Sequence, residues 1–269
     1  AEPNNNGNRF VKSLYTDIDA NIRRMLLKNF IVKASILGRK KQEELSKKEG
    51  CNVPWAILMD PTSACNLRCT GCWGAEYGQK LSMDLDTLDR IIREGNELGI
   101  YMFLYSGGEP LVRKKDIITL CEKHPDCTFL AFTNGTLIDE DFADEMLRVH
   151  NFVPAISIEG FEDATDSRRG KGTYRQVINA MNILKERRLL FGISTCYTSH
   201  NVYEVGSGEF IDAMIDLGAK FCWYFTYMPV GTGSPTDLMV TAKQREYMYQ
   251  QVRLFRKEKP IFILDFWNV

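Results

Sequence analysis

The 269-residue sequence has no apolar run long enough to cross a bilayer, and its first eight residues, AEPNNNGN, are too polar for a secretory signal peptide. It has only nine prolines and a net charge of −1. These values leave no room for a fibrous repeat and predict no strong affinity for nucleic acid. With 44% hydrophobic and 26% charged residues, the composition excludes wholesale disorder. We therefore expect a globular protein located in the cytoplasm.

Charge is distributed unevenly along this near-neutral chain. Residues 22–50 carry nine Lys or Arg and three Glu, which gives a local charge of +6. A solvated basic helix face explains such a stretch. The alternative is peripheral contact with a membrane surface through residues 9–41.

From Pro54 onward, short apolar runs alternate with amphipathic stretches, which predicts a parallel sheet with right-handed helical crossovers. The predicted strands are 55–60, 100–105, 128–133, 153–158, 190–197, 221–228 and 261–266. The predicted helices are 9–37, 84–98, 114–123, 139–149, 173–188, 209–217 and 241–257, and residues 38–50 are expected to form a charged connector.

A closed eight-stranded barrel needs more strand–helix units than this chain supplies. The expected fold is α/β: a partial, open TIM-like (β/α)6 barrel of about six to seven parallel strands in residues 51–269. A helical extension, residues 1–50, precedes it. The sequence ends at Val269, three residues after the last predicted strand, where a helix or loop should follow, so we expect that the chain continues or was cut at this point. The aromatic run at 221–228 is expected in the core, with a substrate-lining role as the alternative.

Three of the eight cysteines, Cys65, Cys69 and Cys72, follow the first predicted strand with the spacing C-x3-C-x2-C. Three thiolates on one short loop suit three corners of a cubane iron–sulfur cluster and leave the fourth iron without a protein ligand. A structural zinc site would need a fourth ligand, and no His lies near the loop. The other cysteines are scattered and are expected to behave as small apolar side chains.

A second motif, Tyr105-Ser-Gly-Gly-Glu-Pro110, ends the second predicted strand. Its two glycines are expected to leave backbone amides free for a ligand, and Glu109 can accept hydrogen bonds from an ammonium group. Alone, the segment is an ordinary strand-to-helix turn. Together with the cysteines it falls on the carboxyl-terminal rim, where the active sites of such barrels lie.

At this point the sequence resembles the radical S-adenosylmethionine (SAM) superfamily, over about residues 54–231. The resemblance implies a [4Fe–4S] cluster held by Cys65, Cys69 and Cys72, whose open iron binds the amino and carboxylate groups of SAM. It implies that Gly107, Gly108 and Glu109 hold the methionyl amino group.

Further positions fit the same resemblance. It implies cofactor contacts at Thr133 and Asn134 in Thr-Asn-Gly, at Ser157 and Glu159 in a motif where the family has Asp in place of Glu, at Arg169, and at Met228 beside the adenine. Arg169 would pair with the methionyl carboxylate. The family usually has an aromatic residue just before the third cysteine. This chain has Gly71 there, and Trp73 is the candidate for the aromatic role.

The implied activity is reductive cleavage of SAM to a 5′-deoxyadenosyl radical, which abstracts hydrogen from a substrate under anaerobic conditions. A flavodoxin- or ferredoxin-type protein would donate the electron. The resemblance is to the peptide-maturase branch, which favours peptide or protein modification, although residues 223–269 have no counterpart of its Cys-rich C-terminal extension. A lipid or isoprenoid substrate at a membrane surface is the alternative. A non-catalytic iron–sulfur or zinc protein is a remote one, since it leaves Gly107–Glu109 unexplained.

Overall fold

The computed structural model describes residues 5–231 and 233–266, and seven strands within them form one sheet. The strands are β1 (Ala56–Met59), β2 (Met102–Tyr105), β3 (Thr128–Thr133), β4 (Phe152–Ser157), β5 (Gly192–Tyr197), β6 (Phe221–Thr226) and β7 (Phe262–Asp265). Each strand pairs in parallel with the next one in the sequence. The sheet curls into a half barrel with β1 and β7 at its edges, which confirms the predicted open barrel.

Helices cover the convex face of this sheet and connect its strands. The helices are α1 (Asn6–Asp17), α2 (Ala20–Met25), α3 (Arg39–Glu49), α4 (Leu85–Glu97), α5 (Lys114–Lys123), α6 (Glu140–Val149), α7 (Glu162–Arg169), α8 (Thr173–Glu186), α9 (Val202–Val205), α10 (Gly208–Asp216) and α11 (Ala242–Glu258). In α4, for example, the Asp84 side chain accepts from the Thr87 amide at 2.7 Å, and Leu88 and Ile92 are buried. A capped start and one apolar stripe therefore make the helix and direct it onto the sheet.

Two assignments in the amino-terminal region differ from the structure, and two helices were not predicted. Residues 9–37 form two α-helices separated at Ile18–Asp19, followed by a π-helical segment, Leu26–Gly38. The expected connector 38–50 is the helix α3, and the unpredicted helices are α7 and the short α9. Both α3 and α7 lack a broad apolar stripe; α7 instead has Glu162 and Asp163 in its first turn and two arginines in its last, which favours the helix through its dipole.

The amino-terminal helices pack across the amino ends of the strands. The Asn29 side chain donates to the carbonyls of Pro125 and Cys127, both at 2.9 Å, just before β3. The Gln42 side chain donates to the Gly99 carbonyl at 2.8 Å, before β2. These buried amides hold the helices over the base of the half barrel, so its opposite, carboxyl end is left for a site. The helices formed by the described residues all fall short of the length and hydrophobicity that a bilayer-spanning helix requires.

Candidate active site

A large cavity, about 1230 Å³, occupies the concave side of the half barrel. Twelve of the thirteen predicted site residues line it: Cys65, Cys69, Cys72, Trp73, Gly107, Gly108, Glu109, Thr133, Asn134, Ser157, Arg169 and Met228. The thirteenth, Glu159, is fully buried behind this wall. Residues that are up to 163 positions apart in the sequence thus meet at one rim, because the carboxyl ends of parallel strands lie on the same side.

The three cysteines lie on the cysteine loop, residues 60–72, which directly follows β1. All three are free and half-buried. Burial raises the pKa of the Cys65 and Cys69 thiols, and Arg169 opposes that shift at Cys69. In the described part of the chain, no three His, Cys, Asp or Glu side chains are grouped closely enough to hold a single metal ion. Three soft thiol donors on one loop match an iron–sulfur cluster in ligand type.

The Gly-Gly-Glu segment binds the cysteine loop through its backbone. The Gly108 amide donates to the Thr62 carbonyl at 2.9 Å, and the Glu109 amide donates to the Ala64 carbonyl at 2.8 Å. A Cβ atom on Gly108 would lie 2.3 Å from the Ala64 oxygen. The Gly108 amide is therefore not free for a ligand, contrary to expectation, and this glycine instead permits a close contact between two loops.

The Glu109 carboxylate is 1% exposed and is held by three donors. The Thr133 hydroxyl (2.6 Å) and the Leu111 amide (2.9 Å) donate to its Oε1, and the Asn134 amide donates to its Oε2 at 2.6 Å. Burial raises the pKa of Glu109, although these hydrogen bonds oppose the shift. A fixed, buried carboxylate at the cavity wall is a site for a cationic ligand group.

Glu159, for which the family resemblance implied a cofactor contact, is bound by two adjacent arginines. Its Oε1 lies 2.8 Å from Arg168 Nη1 and 2.9 Å from Arg169 Nε, and all three side chains are at least 86% buried. Burial opposes its ionisation, yet the two arginines keep the pKa of Glu159 below its ordinary value. Arg169 Nη1 lies 4.0 Å from Cys69 Sγ. The Arg–Glu–Arg cluster therefore forms the wall behind the second cysteine.

The same cluster fixes the cysteine loop. The Thr70 amide donates to the Arg168 carbonyl at 2.8 Å, and Arg168 Nε donates back to the Thr70 carbonyl at 3.3 Å. The sequence motif pointed to Arg169 and not to Arg168. The two adjacent arginines were visible in the sequence, but their contact with residue 70 was not.

Tyr227, at the end of β6, is a cavity residue whose side chain the sequence analysis did not single out. It is 4% exposed, its ring lies against Gly71, and Arg168 stands 5.9 Å from the ring centroid. Its hydroxyl is buried and has no hydrogen-bond partner among the described residues. Trp73, the predicted aromatic, is 44% exposed and meets Tyr77 edge-on. The ring of Tyr227, the residue directly after β6, thus occupies the space beside the position where the family has its aromatic residue.

We expect Gly71→Ala to destabilise the protein more than Gly50→Ala, at the end of α3. Gly71 has φ of +68° and Gly50 has φ of +67°, a left-handed conformation that costs an alanine about 1 kcal/mol. A Cβ on Gly71 would also lie 2.7 Å from the Tyr227 ring, whereas one on Gly50 would have nothing within 4 Å. Urea unfolding should give a further loss of about 1–3 kcal/mol for Gly71→Ala. Equal losses at the two positions, or no relief of the Gly71→Ala loss in a Tyr227→Ala background, would contradict the contact.

Below the rim, aromatic side chains line the cavity. Phe132 lies 5.1 Å from Trp223 and 5.6 Å from Phe225, measured between ring centroids. Tyr224 points to the opposite side of β6 and is fully buried. The strand β6 therefore divides its aromatics between the cavity and the core, where the sequence favoured the core for all of them.

Comparison with known proteins decides the family. The family model described as the radical SAM superfamily matches residues 59–217, which is more than half of the chain. The matched region includes the cysteine loop and the strands β2 to β5. The chain belongs to the radical SAM superfamily. A [4Fe–4S] cluster and SAM are characteristic of this family.

Curated relatives are about one quarter identical to this chain over the aligned residues. The AdoMet-dependent heme synthase of Methanosarcina barkeri is 25% identical over 77% of this chain and 60% of its own length. The mycofactocin maturase MftC of Mycolicibacterium smegmatis is 26% identical over 74% of this chain and 52% of its own. The structure of Streptococcus suis SuiB bound to S-adenosylmethionine superposes with a TM-score of 0.69 at 20% identity, covering 85% of this chain and 54% of that one. The present chain therefore spans between half and two thirds of these proteins.

Proposed function

We propose that this chain is the catalytic part of a radical SAM enzyme that removes a hydrogen atom from a substrate held in the half barrel. The observation that carries the proposal is the convergence of three free thiols and one buried carboxylate on a single cavity. When bound, the cluster and SAM supply a carbon radical once an external donor, of flavodoxin or ferredoxin type, has delivered one electron. In this proposal residues 51–269 form the catalytic unit, and residues 1–50 close its base.

The side chains have separable roles in this proposal. Cys65, Cys69 and Cys72 are the cluster ligands. Glu109, kept in one orientation by Thr133 and Asn134, accepts a hydrogen bond from the methionyl amino group. Arg169 and Ser157 face the methionyl end, while Tyr227, Trp73 and Met228 enclose the adenine. Glu159 acts on the site through the two arginines.

The relatives do not agree on one substrate class, because some are named as peptide or protein maturases and others as enzymes of heme synthesis. The mycofactocin maturase and a cysteine-type anaerobic sulfatase-maturating enzyme support peptide or protein modification, as does a structure of SuiB bound to the precursor peptide SuiA. A heme synthase and an Fe-coproporphyrin III synthase stand beside them. Similarity to these relatives supports radical chemistry in general and peptide modification as one form of it.

Anaerobic reconstitution tests the proposal. The protein is loaded with iron and sulfide, reduced with dithionite and given SAM, and 5′-deoxyadenosine is measured by chromatography. We expect a brown protein that forms 5′-deoxyadenosine only when both reductant and SAM are present. A colourless protein that binds zinc, or a brown one that neither binds nor cleaves SAM, would contradict the proposal and favour a non-catalytic metal protein.

The affinity for SAM should rise with pH, because an ionised Glu109 accepts a stronger hydrogen bond from the methionyl amino group than a protonated one. Since burial raises the pKa of Glu109 in the free protein, protonation competes with binding as the pH falls toward that pKa. Equilibrium dialysis of reconstituted protein between about pH 5 and 8 should show this rise, with bound iron assayed at each pH. Glu109→Gln should bind SAM about tenfold or more weakly and show no such rise. The same slope in wild type and variant would assign it to another group.

A further inference from the structure

The cavity has two parts of different chemistry. The polar residues that fit the cofactor stand at the carboxyl-terminal rim. The remainder, here termed the lower lumen, lies between the rim and the amino-terminal helices. Strand register places Leu58, Leu104, Leu130 and Val153 in one row across β1 to β4. All four line the cavity, and the aromatic residues of β6 face them.

Few polar side chains interrupt the lower lumen. In the described residues they are Thr128, Ser194 and Lys220, and the Lys220 ammonium is paired with Asp17 at 2.6 Å. A peptide placed here would bury its backbone amides against hydrocarbon, at about 2–7 kcal/mol for each unpaired group. A hydrocarbon chain would lose no hydrogen bond. The walls of the lower lumen therefore select against peptide backbone and for an apolar chain.

The size of the cavity leaves room for such a chain. Small-molecule sites usually measure roughly 300–1,000 Å³, and this cavity measures about 1230 Å³. Because the groups that fit SAM are confined to the rim, the space below them is available to a substrate. An apolar chain in the lower lumen would present its carbon–hydrogen bonds toward the rim, where the radical chemistry is proposed.

The π-helical segment connects the lower lumen with the outer surface. Leu26, Phe30 and Ile31 of this segment line the cavity. Leu27 is 59% exposed and Leu37 is 57% exposed on the same segment. The segment lies inside the basic stretch 22–50, whose local charge is +6. Exposed apolar side chains among basic residues are the pattern of helices that lie on anionic membrane surfaces.

We propose that the lower lumen binds the hydrocarbon chain, acyl or prenyl, of a membrane amphiphile that enters along the π-helical segment. This assigns a lipid as the substrate class and rests on the proposed function for its chemistry. The binding site itself is formed by the row of Leu58, Leu104, Leu130 and Val153 and by the aromatic wall opposite.

Chain binding is tested with cis-parinaric acid, a polyene fatty acid whose fluorescence rises in apolar sites. Leu104→Trp fills the lower lumen, and Leu130→Gln makes its wall polar. Each should weaken binding about tenfold or more, which corresponds to about 1.4 kcal/mol. The matched control is Leu254→Gln on α11, because Leu254 is 41% exposed and lies outside the cavity. Equal loss in the control, or no loss in either lumen variant when both remain folded by circular dichroism, would overturn the proposal.

Wild-type protein supplies a second test that needs no lumen variant. A diazirine-bearing fatty acid should crosslink to residues of the lower lumen, as mapped by mass spectrometry. Crosslinks confined to the outer surface would overturn the proposal. So would a blocked leucine-rich peptide that displaces cis-parinaric acid, since it would make the lower lumen a peptide site.

Vesicles distinguish a membrane source from free fatty acid. The protein should sediment with vesicles that contain phosphatidylglycerol more than with pure phosphatidylcholine, and Leu27→Gln/Leu37→Gln should reduce this at least threefold. Fatty-acid binding without vesicle binding would overturn the membrane source. The two proposals fail separately: 5′-deoxyadenosine formation without chain binding refutes the lipid assignment, and chain binding without SAM cleavage refutes the radical chemistry.

Discussion

Replacing Cys65, Cys69 and Cys72 together by Ala should abolish both iron binding and SAM cleavage. In wild-type protein we expect about four iron atoms per chain after reconstitution and 5′-deoxyadenosine formation on reduction. The triple variant loses every thiolate on the cysteine loop, so iron should fall to the background of a protein without a cluster. 5′-deoxyadenosine should fall by about a thousandfold or more.

The structure supplies two matched controls for this loss. Cys51→Ala removes an exposed cysteine that lies before β1. Cys196→Ala removes a cysteine that lines the same cavity but lies on β5, where burial raises its thiol pKa to about 11. Both controls should retain iron. Loss of iron in Cys196→Ala alone, or a brown triple variant, would show that the cluster ligands have been assigned wrongly.

Misfolding does not account for the expected loss. The three cysteines are half-buried on a loop, and their side chains belong to neither of the apolar core clusters. Thermal unfolding of the triple variant without metal should therefore stay within about 1 kcal/mol of the wild type. A collapse of stability would point to a structural role for these thiols.

Strand positions were predictable because buried parallel strands are apolar along their whole length. The sequence also placed the cysteines and Glu109 at one rim, since strand ends alternate regularly with helices. The helix α7 was missed because Ala164 is its only aliphatic residue within Glu162–Arg169. Apolar periodicity cannot detect a helix that is stabilised by terminal charges.

Contacts between distant segments were not predictable in the same way. Gly71 and Tyr227 are separated by 155 intervening positions, and only folding shows that the ring takes the space beside the glycine. Similarly, alternation in β6 shows which side chains share a face. It does not show whether that face packs in the core or lines an open cavity, because apolar residues suit both. The sequence thus predicted which residues converge on the carboxyl-terminal rim, but it did not predict the open lumen below them.

Glu159→Gln should be the most destabilising single change in the site. The carboxylate is fully buried and is the shared partner of Arg168 and Arg169, whose side chains are 14% and 13% exposed. Its neutralisation leaves two buried guanidinium groups without a counter-charge. Breaking a buried ion pair in this way costs about 3–5 kcal/mol, measurable by urea unfolding of the metal-free protein.

The matched control is Glu162→Gln in the first turn of α7. Glu162 pairs with Arg175 at 3.0 Å, but the two side chains are 48% and 80% exposed. A pair so accessible to water contributes less than about 1 kcal/mol. Similar losses in the free energy of unfolding for Glu159→Gln and Glu162→Gln would show that the buried Arg–Glu–Arg cluster stabilises the protein no more than an exposed ion pair does.

The loss of stability caused by Glu159→Gln should depend on pH in a way that identifies the carboxylate as its cause. Burial opposes ionisation, but the two arginines keep the pKa of Glu159 below its ordinary value. The ionised Glu159 therefore makes its full contribution to the free energy of unfolding above the pKa of a glutamate in the unfolded chain, about 4.3. This contribution disappears as the pH falls through the lower pKa of Glu159 in the folded protein. The stability difference between wild type and Glu159→Gln should accordingly be constant above about pH 5 and shrink below about pH 4.

The same variant should loosen the cysteine loop, because Arg168 joins Glu159 to the backbone of Thr70. In metal-free protein, Cys69 of Glu159→Gln should react faster with iodoacetamide than Cys69 of the wild type, while the rate at Cys51 stays unchanged. A faster rate at Cys69 alone would show that the buried cluster positions the cysteine loop. Equal rates would restrict Glu159 to a role in stability and leave the loop to be held by its contacts with the Gly-Gly-Glu segment.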